Sequence, residues 1–439
     1  MEDNEVYNES RKWSKHNFRA STGEGMLVNL AMGLTTPFLG VIAIGLGGPN
    51  ISVALLTALP CLINTIAYIP AAMLVEKKKS KLKTNAIFSF FTRIFYLLMA
   101  IVPFLNIENK ATLYIALVSL QALPAVVMMV AWTSLVNNMF PQDERARIIN
   151  TRSMYCSIVS LVGTFFAGRI LDVFASPWRY FIIFFLSYLS TMCSIFFLLK
   201  QKEIVYDREP QPKMSLSERI KGPLTDPVNG KKFKRYLASA FVLNMGVYFA
   251  VPLFPIFHVR TLALSNSVIG SFNVLAGITA ALSYSMWGKI IRRYGNPMVY
   301  VLSAIAFAIF PVTYYFGGIS QGNNALILMI LQFIIGIFNA GWSMSLFNLT
   351  LDYIDPTKAE NGVAVFNTII NFSGVVAPLL CYFILTKWGV GIPFIVSSIL
   401  RIIGCLIFIP TVDFKDMLGQ MRRRRELNKR KRSLRKAMK

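Results

Sequence analysis

Acidic residues are scarce in this 439-residue chain: 21 Asp and Glu stand against 45 Lys and Arg, and there are two histidines. No Asp or Glu lies deep within an apolar run; Glu24, Glu76, Asp172 and Asp352 all sit near run ends. His16 belongs to the polar N-terminal stretch and His258 to a run's outer edge. A carrier coupled to protons needs an embedded group whose charge changes during its cycle. Carboxylate-based coupling is therefore disfavoured, with Glu24 and Asp352 its residual candidates. Cysteine is also sparse. Cys61, Cys156, Cys193, Cys381 and Cys405 fall inside apolar runs without metal-ligand spacing, so they read as small core residues rather than a zinc site or disulfide framework. There is no phosphate-binding glycine loop and no Ser/His/Asp set within the apolar runs. Neither an enzyme nor a cofactor is expected.

What the chain has in abundance is apolar length. Hydrophobic residues make up 55% and charged residues 15%, and runs of about 20 apolar residues, enough to cross a ~30 Å hydrocarbon core, recur throughout. Within lipid each run must satisfy its own backbone, which requires helices. Twelve spans are expected, near 26–47, 51–75, 85–106, 111–138, 153–174, 179–199, 236–257, 266–290, 297–317, 324–350, 362–385 and 390–411. Residues 200–235 between the sixth and seventh are polar, basic and proline-rich. The expected organisation is an N-terminal segment (1–25), a six-helix bundle (26–199), a hinge loop (200–235), a second six-helix bundle (236–412) and a basic tail (413–439). Residues 1–25 are polar and the first run is too long for the h-region of a leader, so no signal peptide is expected.

The formal charge of +24 does not point to nucleic acid, because the cations flank the apolar runs. Basic clusters precede span 1 (Arg11, Lys12, Lys15, Arg19) and follow span 2 (Lys77, Lys78, Lys79, Lys81, Lys83), span 4 (Arg145, Arg147, Arg152) and span 8 (Lys289, Arg292, Arg293). The alternate loops hold Lys110, Arg179, Arg260 and Lys387. This asymmetry puts both termini in the cytoplasm of a cell-membrane protein, with anionic lipid at the basic loops and tail. Within the hinge, Ser215 and Glu218 have capping-box spacing for a short surface helix.

The halves repeat. Asn29 precedes Pro37 by eight residues and Asn244 precedes Pro252 by eight; Trp132 precedes Asn138 by six and Trp342 precedes Asn348 by six. Gln121 and Gln332 stand upstream of the two tryptophans. All these pairs are about 210 to 215 residues apart, the mark of a duplicated six-helix unit, and such repeats build alternating-access transporters.

Gly288-KII-Arg292-Arg293-Tyr-Gly295, after span 8, resembles the G-x-x-x-D-R/K-x-G signature of the major facilitator superfamily, with Arg292 where that family usually has aspartate. Ala72-MLV-Glu76-Lys77, after span 2, keeps the acid but lacks the first glycine. Pro141-QDE-Arg145-Ala-Arg147 is similar to the family's P-x-x-x-R-G-R element, and Asp355-Pro356 is a looser counterpart. The resemblance covers residues 20 to 415 and implies an all-α membrane protein of two pseudo-symmetric six-helix bundles. It further implies that Glu76, Lys77, Arg145, Gly288, Arg292, Arg293 and Gly295 form a cytoplasmic gating latch. Physically, Gly288 would admit a close neighbouring helix and the cations would engage carboxylates or helix ends in one conformation.

In that family the first, fourth, seventh and tenth helices line the cavity, and polar residues of this chain collect on those helices. Asn29, Thr36, Gln121, Trp132, Asn244, Tyr248, Gln332, Asn339 and Trp342 form the expected neutral, hydrogen-bonding substrate site. Sugars, glycosides or nucleosides suit such a site; export of amphipathic compounds, a lipid flippase and a sensor are the alternatives. Arg93 and Arg401 lie within spans and are candidates for an anion or lipid contact. Snorkelling to the interface is the expectation for Arg93, whereas Arg401 lies deeper and stays open between the two. The protein is expected to work as a monomer.

Overall fold

The structure is a computed structural model that describes residues 2–204, 230–320, 322, 324–354 and 359–411. The Ser215/Glu218 helix, the Asp355-Pro356 element and the basic tail lie outside the described residues. Among the described residues twelve helices are long and apolar enough to cross a membrane: spans 1 to 6 are Glu9–Gly45, Asn50–Glu76, Lys81–Phe104, Lys110–Val136, Arg147–Val173 and Trp178–Leu199. Spans 7 to 12 are Gly230–Thr261, Asn266–Tyr294, Asn296–Ile319, Asn324–Thr350, Val365–Trp388 and Gly391–Thr411.

The packing repeats with the sequence. Span 1 packs on spans 5 and 6, span 4 on spans 2 and 3, and span 3 on span 6. The same pattern recurs as span 7 on 11 and 12, span 10 on 8 and 9, and span 9 on 12. The halves join through span 2 against 11 and span 5 against 8, each the image of the other. Even the local geometry is copied: Asn29 Nδ2 donates to Gly25 O and Asn244 Nδ2 to Ala240 O, each at 2.8 Å. Pro37 and Pro252 then break their helices at equivalent places, Pro37 within a 3-10 turn at Thr36–Phe38 and Pro252 at the turn before Leu253–Ile256.

A proline in a helix frees the carbonyl four residues earlier, and in a membrane that carbonyl needs a partner from a neighbouring helix. Thr164 Oγ1 of span 5 supplies it for Pro37, donating to Gly33 O at 3.0 Å. Arg401 supplies it for Pro311, its Nη1 donating to Phe307 O at 2.7 Å. The first helix begins at Glu2 rather than near 26. Hydropathy misses this stretch because its polar residues find partners far along the chain: Asn17 both donates to Lys202 O at 2.9 Å and accepts from Lys202 N at 2.8 Å.

Glycines set the helix spacing. A side chain at Gly33 would collide with the Ser160 carbonyl, and a Cβ at Gly404 would come within 2.7 Å of Leu243 N. Gly295 has φ +84°, which L-residues rarely adopt, and it alone turns the chain from span 8 into span 9. Replacing Gly246 with alanine should add up to ~1 kcal/mol of helix propensity. Its Cβ, however, would lie 2.6 Å from Arg401 Cγ and 2.8 Å from Ser397 O. Overpacking of that kind costs about 1–3 kcal/mol, so a lower melting temperature is expected for Gly246→Ala; an unchanged or raised value would mean that spans 7 and 12 are not so close.

Candidate functional site

The halves are tied at the face opposite the start of span 1 and the end of span 12, which together mark the terminal face. Asp172, at the end of span 5, accepts from Asn266 N (2.9 Å), Asn266 Nδ2 (2.8 Å) and Ser267 N (2.7 Å) at the start of span 8. Arg260 Nη2 donates to Gly48 O at 2.6 Å. Below these bonds spans 5 and 8 run in an antiparallel register held by glycines, with Gly168 against the Asn266 and Ser267 backbone, Gly270 against Thr164 O and Gly277 against Leu161. Continued toward the terminal face, the same register would pair Met154 with Tyr284, yet these are 53% and 45% exposed. The interface is closed at one end and parted at the other.

The expected site residues divide. Thr36 and Asn339 are exposed, Asn339 beside exposed Ser343 on span 10. By the repeat, Met129 and Thr133 occupy the matching places on span 4 and are exposed as well. These two did not stand out in the sequence because neither is an amide or an aromatic. Tyr248 lies at the seam between halves, against Gly374 of span 11 near Cys61 of span 2.

Other members are engaged within their own half. Gln121 Nε2 donates to Thr92 O at 3.0 Å, tying span 4 to span 3, and Gln332 Nε2 reaches Tyr314 Oη of span 9 at 3.5 Å. Tyr314 Oη also contacts His258 Nε2 at 2.7 Å. Trp342 is buried in the core of the second half, 4.9 Å from the Tyr300 ring and 5.6 Å from Phe307. Trp342 is therefore a packing residue here and not a cavity aromatic. Asn29 and Asn244 are bonded to their own helices as described.

Of the two embedded arginines, Arg93 departs from the expectation of snorkelling, and Arg401, left open, is buried. Arg93 does not snorkel: it is 2% exposed in the middle of span 3, with Nη2 donating to Ser194 Oγ of span 6 at 2.7 Å. Arg401 is 3% exposed and is taken up by Phe307 O and Gly246 O. Both guanidinium groups are turned into the bundle in this conformation. Arg401 answers the carbonyl that Pro311 frees, and burial follows from that role.

An ion pair between spans 1 and 5 comes instead from Arg152, which the sequence places in a loop. The fifth helix continues unbroken from Gln142, so Arg152 lies on span 5 and points into the bundle. Its Nη2 pairs with Glu24 Oε2 of span 1 at 2.9 Å and its Nε donates to Ser21 O at 3.0 Å. The guanidinium lies 4.9 Å from the Trp132 ring centroid on span 4, in cation–π range. Gly25 makes this possible, since any Cβ there would overlap the guanidinium. Both side chains of the pair are about nine-tenths buried, at 11% and 10% exposure, and the Trp132 Nε1 beside them is buried without a partner.

The expected latch residues sit at the terminal face. Glu76 and Lys77 end span 2 and are exposed, as are Arg292 and Arg293 in the last turn of span 8. Arg145 Nη2 donates to Phe140 O at 3.1 Å. A Cβ at Gly288 would meet nothing nearer than Arg292 Nη1 at 3.7 Å, so the glycine's space is unused in this conformation.

The sequence matches the Major Facilitator Superfamily twice, over residues 25–236 and again over 236–437. The chain belongs to the major facilitator superfamily. A relative along nearly the whole length is an uncharacterized MFS-type transporter of Methanocaldococcus jannaschii, 20% identical over 393 residues, which cover 86% of this chain and 93% of that protein. Among solved structures, the nucleoside transporter NupG superposes with a TM-score of 0.66 at 12% identity, covering 90% of this chain and 99% of that one. A bacterial homologue of the human lysosomal transporter Spinster, inward-facing and unoccupied, gives 0.64 at 12% identity over 93% and 97% of the two chains. The human organic anion transporter MFSD10 gives 0.64 at 12% over 90% and 99%. The fold and family are those of membrane transporters, with small-molecule substrates bound within the membrane.

Proposed function

We propose that this superfamily member carries a small polar organic solute, of the sugar, glycoside or nucleoside class, across the cell membrane by rocking its two six-helix halves about a central site. The observation that carries the reading is the one-ended interface of spans 5 and 8, fixed by Asp172 and parted at Met154 and Tyr284. Such an interface can exchange one closed end for the other. Thr36, Thr133, Asn339 and Ser343 offer exposed, uncharged hydrogen-bonding groups on spans 1, 4 and 10, which suits hydroxyl-rich solutes. The asymmetry of Lys and Arg supports cytoplasmic termini, and hence a pathway open to the cytoplasm in this conformation. In the alternate state Arg292 and Arg293 close the cytoplasmic end.

The Glu24–Arg152 pair favours a second reading, in which the substrate is an organic anion that competes with Glu24 for Arg152. The nucleoside and organic anion transporters that share the fold stand for the two classes. Thermal stabilisation of purified protein by a solute panel separates them. A ligand at about a hundred times its Kd adds ~2.7 kcal/mol to stability. Shifts with neutral solutes, lost in Asn339→Ala/Ser343→Ala, support the first reading, and counterflow of the same solute in proteoliposomes must follow. Shifts confined to anions, lost in Arg152→Gln, overturn it.

A further inference from the structure

Away from the central pathway, spans 2, 3 and 4 enclose an apolar groove of about 480 Å³. Its walls come from three helical stripes: Ala67, Pro70, Ala71 and Leu74 on span 2, Phe88, Phe91 and Phe95 on span 3, and Leu120, Leu123, Pro124 and Val127 on span 4. Met129 and Thr133, the residues matched by the repeat to Asn339 and Ser343, lie on the opposite face of span 4, so the groove faces away from the proposed central site. Residues without bulk create its depth. Ala67, Ala71 and two prolines stand where larger side chains would fill the gap, and the repeat places Ile334 where Pro124 stands in the first half.

The groove has a direction. A second hollow, lined by Pro70, Met73, Leu74, Lys77 and Lys78, shares Pro70 and Leu74 with the first and continues it to the terminal face. Its mouth thus carries two ammonium groups, with exposed Lys79 and Lys83 adjacent. Two carboxylates oppose them: exposed Glu76, and Glu203, which is taken up by Ser80 Oγ (2.7 Å), Lys81 N (2.7 Å) and Leu82 N (3.0 Å) at the start of span 3. Lys81 is used otherwise, its Nζ donating to Val75 O at 2.7 Å and Lys78 O at 2.6 Å, which caps span 2 and fixes the turn that presents Lys77 and Lys78. Phe95 is fourteen residues beyond Lys81, about 21 Å along a helix at 1.5 Å per residue. One leaflet of hydrocarbon is roughly 15 Å deep, half of the ~30 Å core. The groove therefore runs the depth of one leaflet, from a cationic mouth to an aromatic end.

We propose that this groove is a specific site for an anionic glycerophospholipid of the leaflet at the terminal face, with one acyl chain along Phe88, Phe91 and Phe95 and the headgroup phosphate at Lys77 and Lys78. Charge selects the lipid class, and the shape of the groove selects a chain over a compact solute. The occupant holds span 2 to span 3. These spans are joined by a short turn and make their main contacts with other spans, so the lipid steadies the helix that meets span 11 across the interface.

The test uses the full-length protein in nanodiscs of phosphatidylcholine alone or phosphatidylcholine doped with phosphatidylglycerol, with retained lipid read by native mass spectrometry. Wild type should keep one phosphatidylglycerol in preference to phosphatidylcholine. Lys77→Ala/Lys78→Ala should lower that preference about ten-fold or more, since each basic residue near an anionic surface contributes appreciably. Leu123→Trp, at an exposed groove position, should exclude either lipid, and a wild-type elution profile and helical circular-dichroism spectrum would show that the variants fold. Equal retention of phosphatidylglycerol by all three proteins overturns the site, as does retention of the two lipids in proportion to their supply. Displacement by soluble glycerol 3-phosphate also overturns it, because the lysines would then hold a free phosphate and the groove would be ordinary lipid-facing surface.

Discussion

Arg152→Ala should abolish transport and lower folding stability by about 3–5 kcal/mol, the cost of leaving a buried carboxylate without its partner. Glu24 would keep its place between spans 1 and 5 but lose the 2.9 Å ion pair. Ser21 O would lose its 3.0 Å donor and Trp132 the cation over its ring. Removing both charges behaves differently. A neutral pair of similar volume escapes the desolvation cost that ions incur, so Glu24→Gln/Arg152→Gln should regain most of the lost stability. The double variant then separates two roles that the single variant confounds. Should it fold and exchange solute at the wild-type rate, the pair is a brace between spans 1, 4 and 5. Should it fold and remain inactive, the charges meet the substrate or a proton during the cycle. Stability in Arg152→Ala equal to wild type would contradict the buried geometry itself.

Why this pair was not legible in the sequence follows from how spans are read. Apolar runs set the expected starts of spans 1 and 5 at 26 and 153. Glu24 and Arg152 fell just outside, and each looked like an end residue. The helices themselves run on, from Glu2 and from Gln142, because polar side chains along them find partners inside the bundle. Hydropathy reports on transfer to lipid and is blind to that pairing. The repeat was legible because proline and asparagine act through the backbone: their spacing reappears as matching helix breaks and matching i→i−4 bonds. Trp132 and Trp342 repeat in sequence as well, yet they differ in environment, one under Arg152 and the other among Tyr300 and Phe307. Spacing fixes the helix and the depth. The side chains of neighbouring spans decide what each residue does there, and those differ between the halves. Arg93 and Arg401 illustrate the same limit, since their partners Ser194 and Phe307 O come from helices distant in sequence.

Asp172→Ala should release the far face. Three N–H groups at the start of span 8 converge on this carboxylate, where the positive end of the helix dipole adds to the attraction. The site is exposed, so water compensates much of the loss, and a net cost of about 2 kcal/mol is expected. That is enough to move a two-state equilibrium roughly thirty-fold toward the state open at that face. Leu264 reports the change, because it packs against the cores of both halves there. A cysteine at Leu264, in a background lacking the native cysteines, should react with an impermeant maleimide about an order of magnitude faster once Asp172 is alanine. An unchanged rate would rule out Asp172 as the latch. Arg260→Ala removes one 2.6 Å bond to Gly48 O and should give a smaller increase. The same motion has a consequence at the other end. Carried past Leu161 and Gly277, the register of spans 5 and 8 sets Met154 opposite Tyr284 and Asn150 opposite Gly288. Closing that end brings span 5 onto a position of span 8 that has room for it, and Gly288, idle in this conformation, becomes the contact. Gly288→Leu should therefore trap the protein open at the terminal face and slow labelling of Leu264→Cys in the Asp172→Ala background.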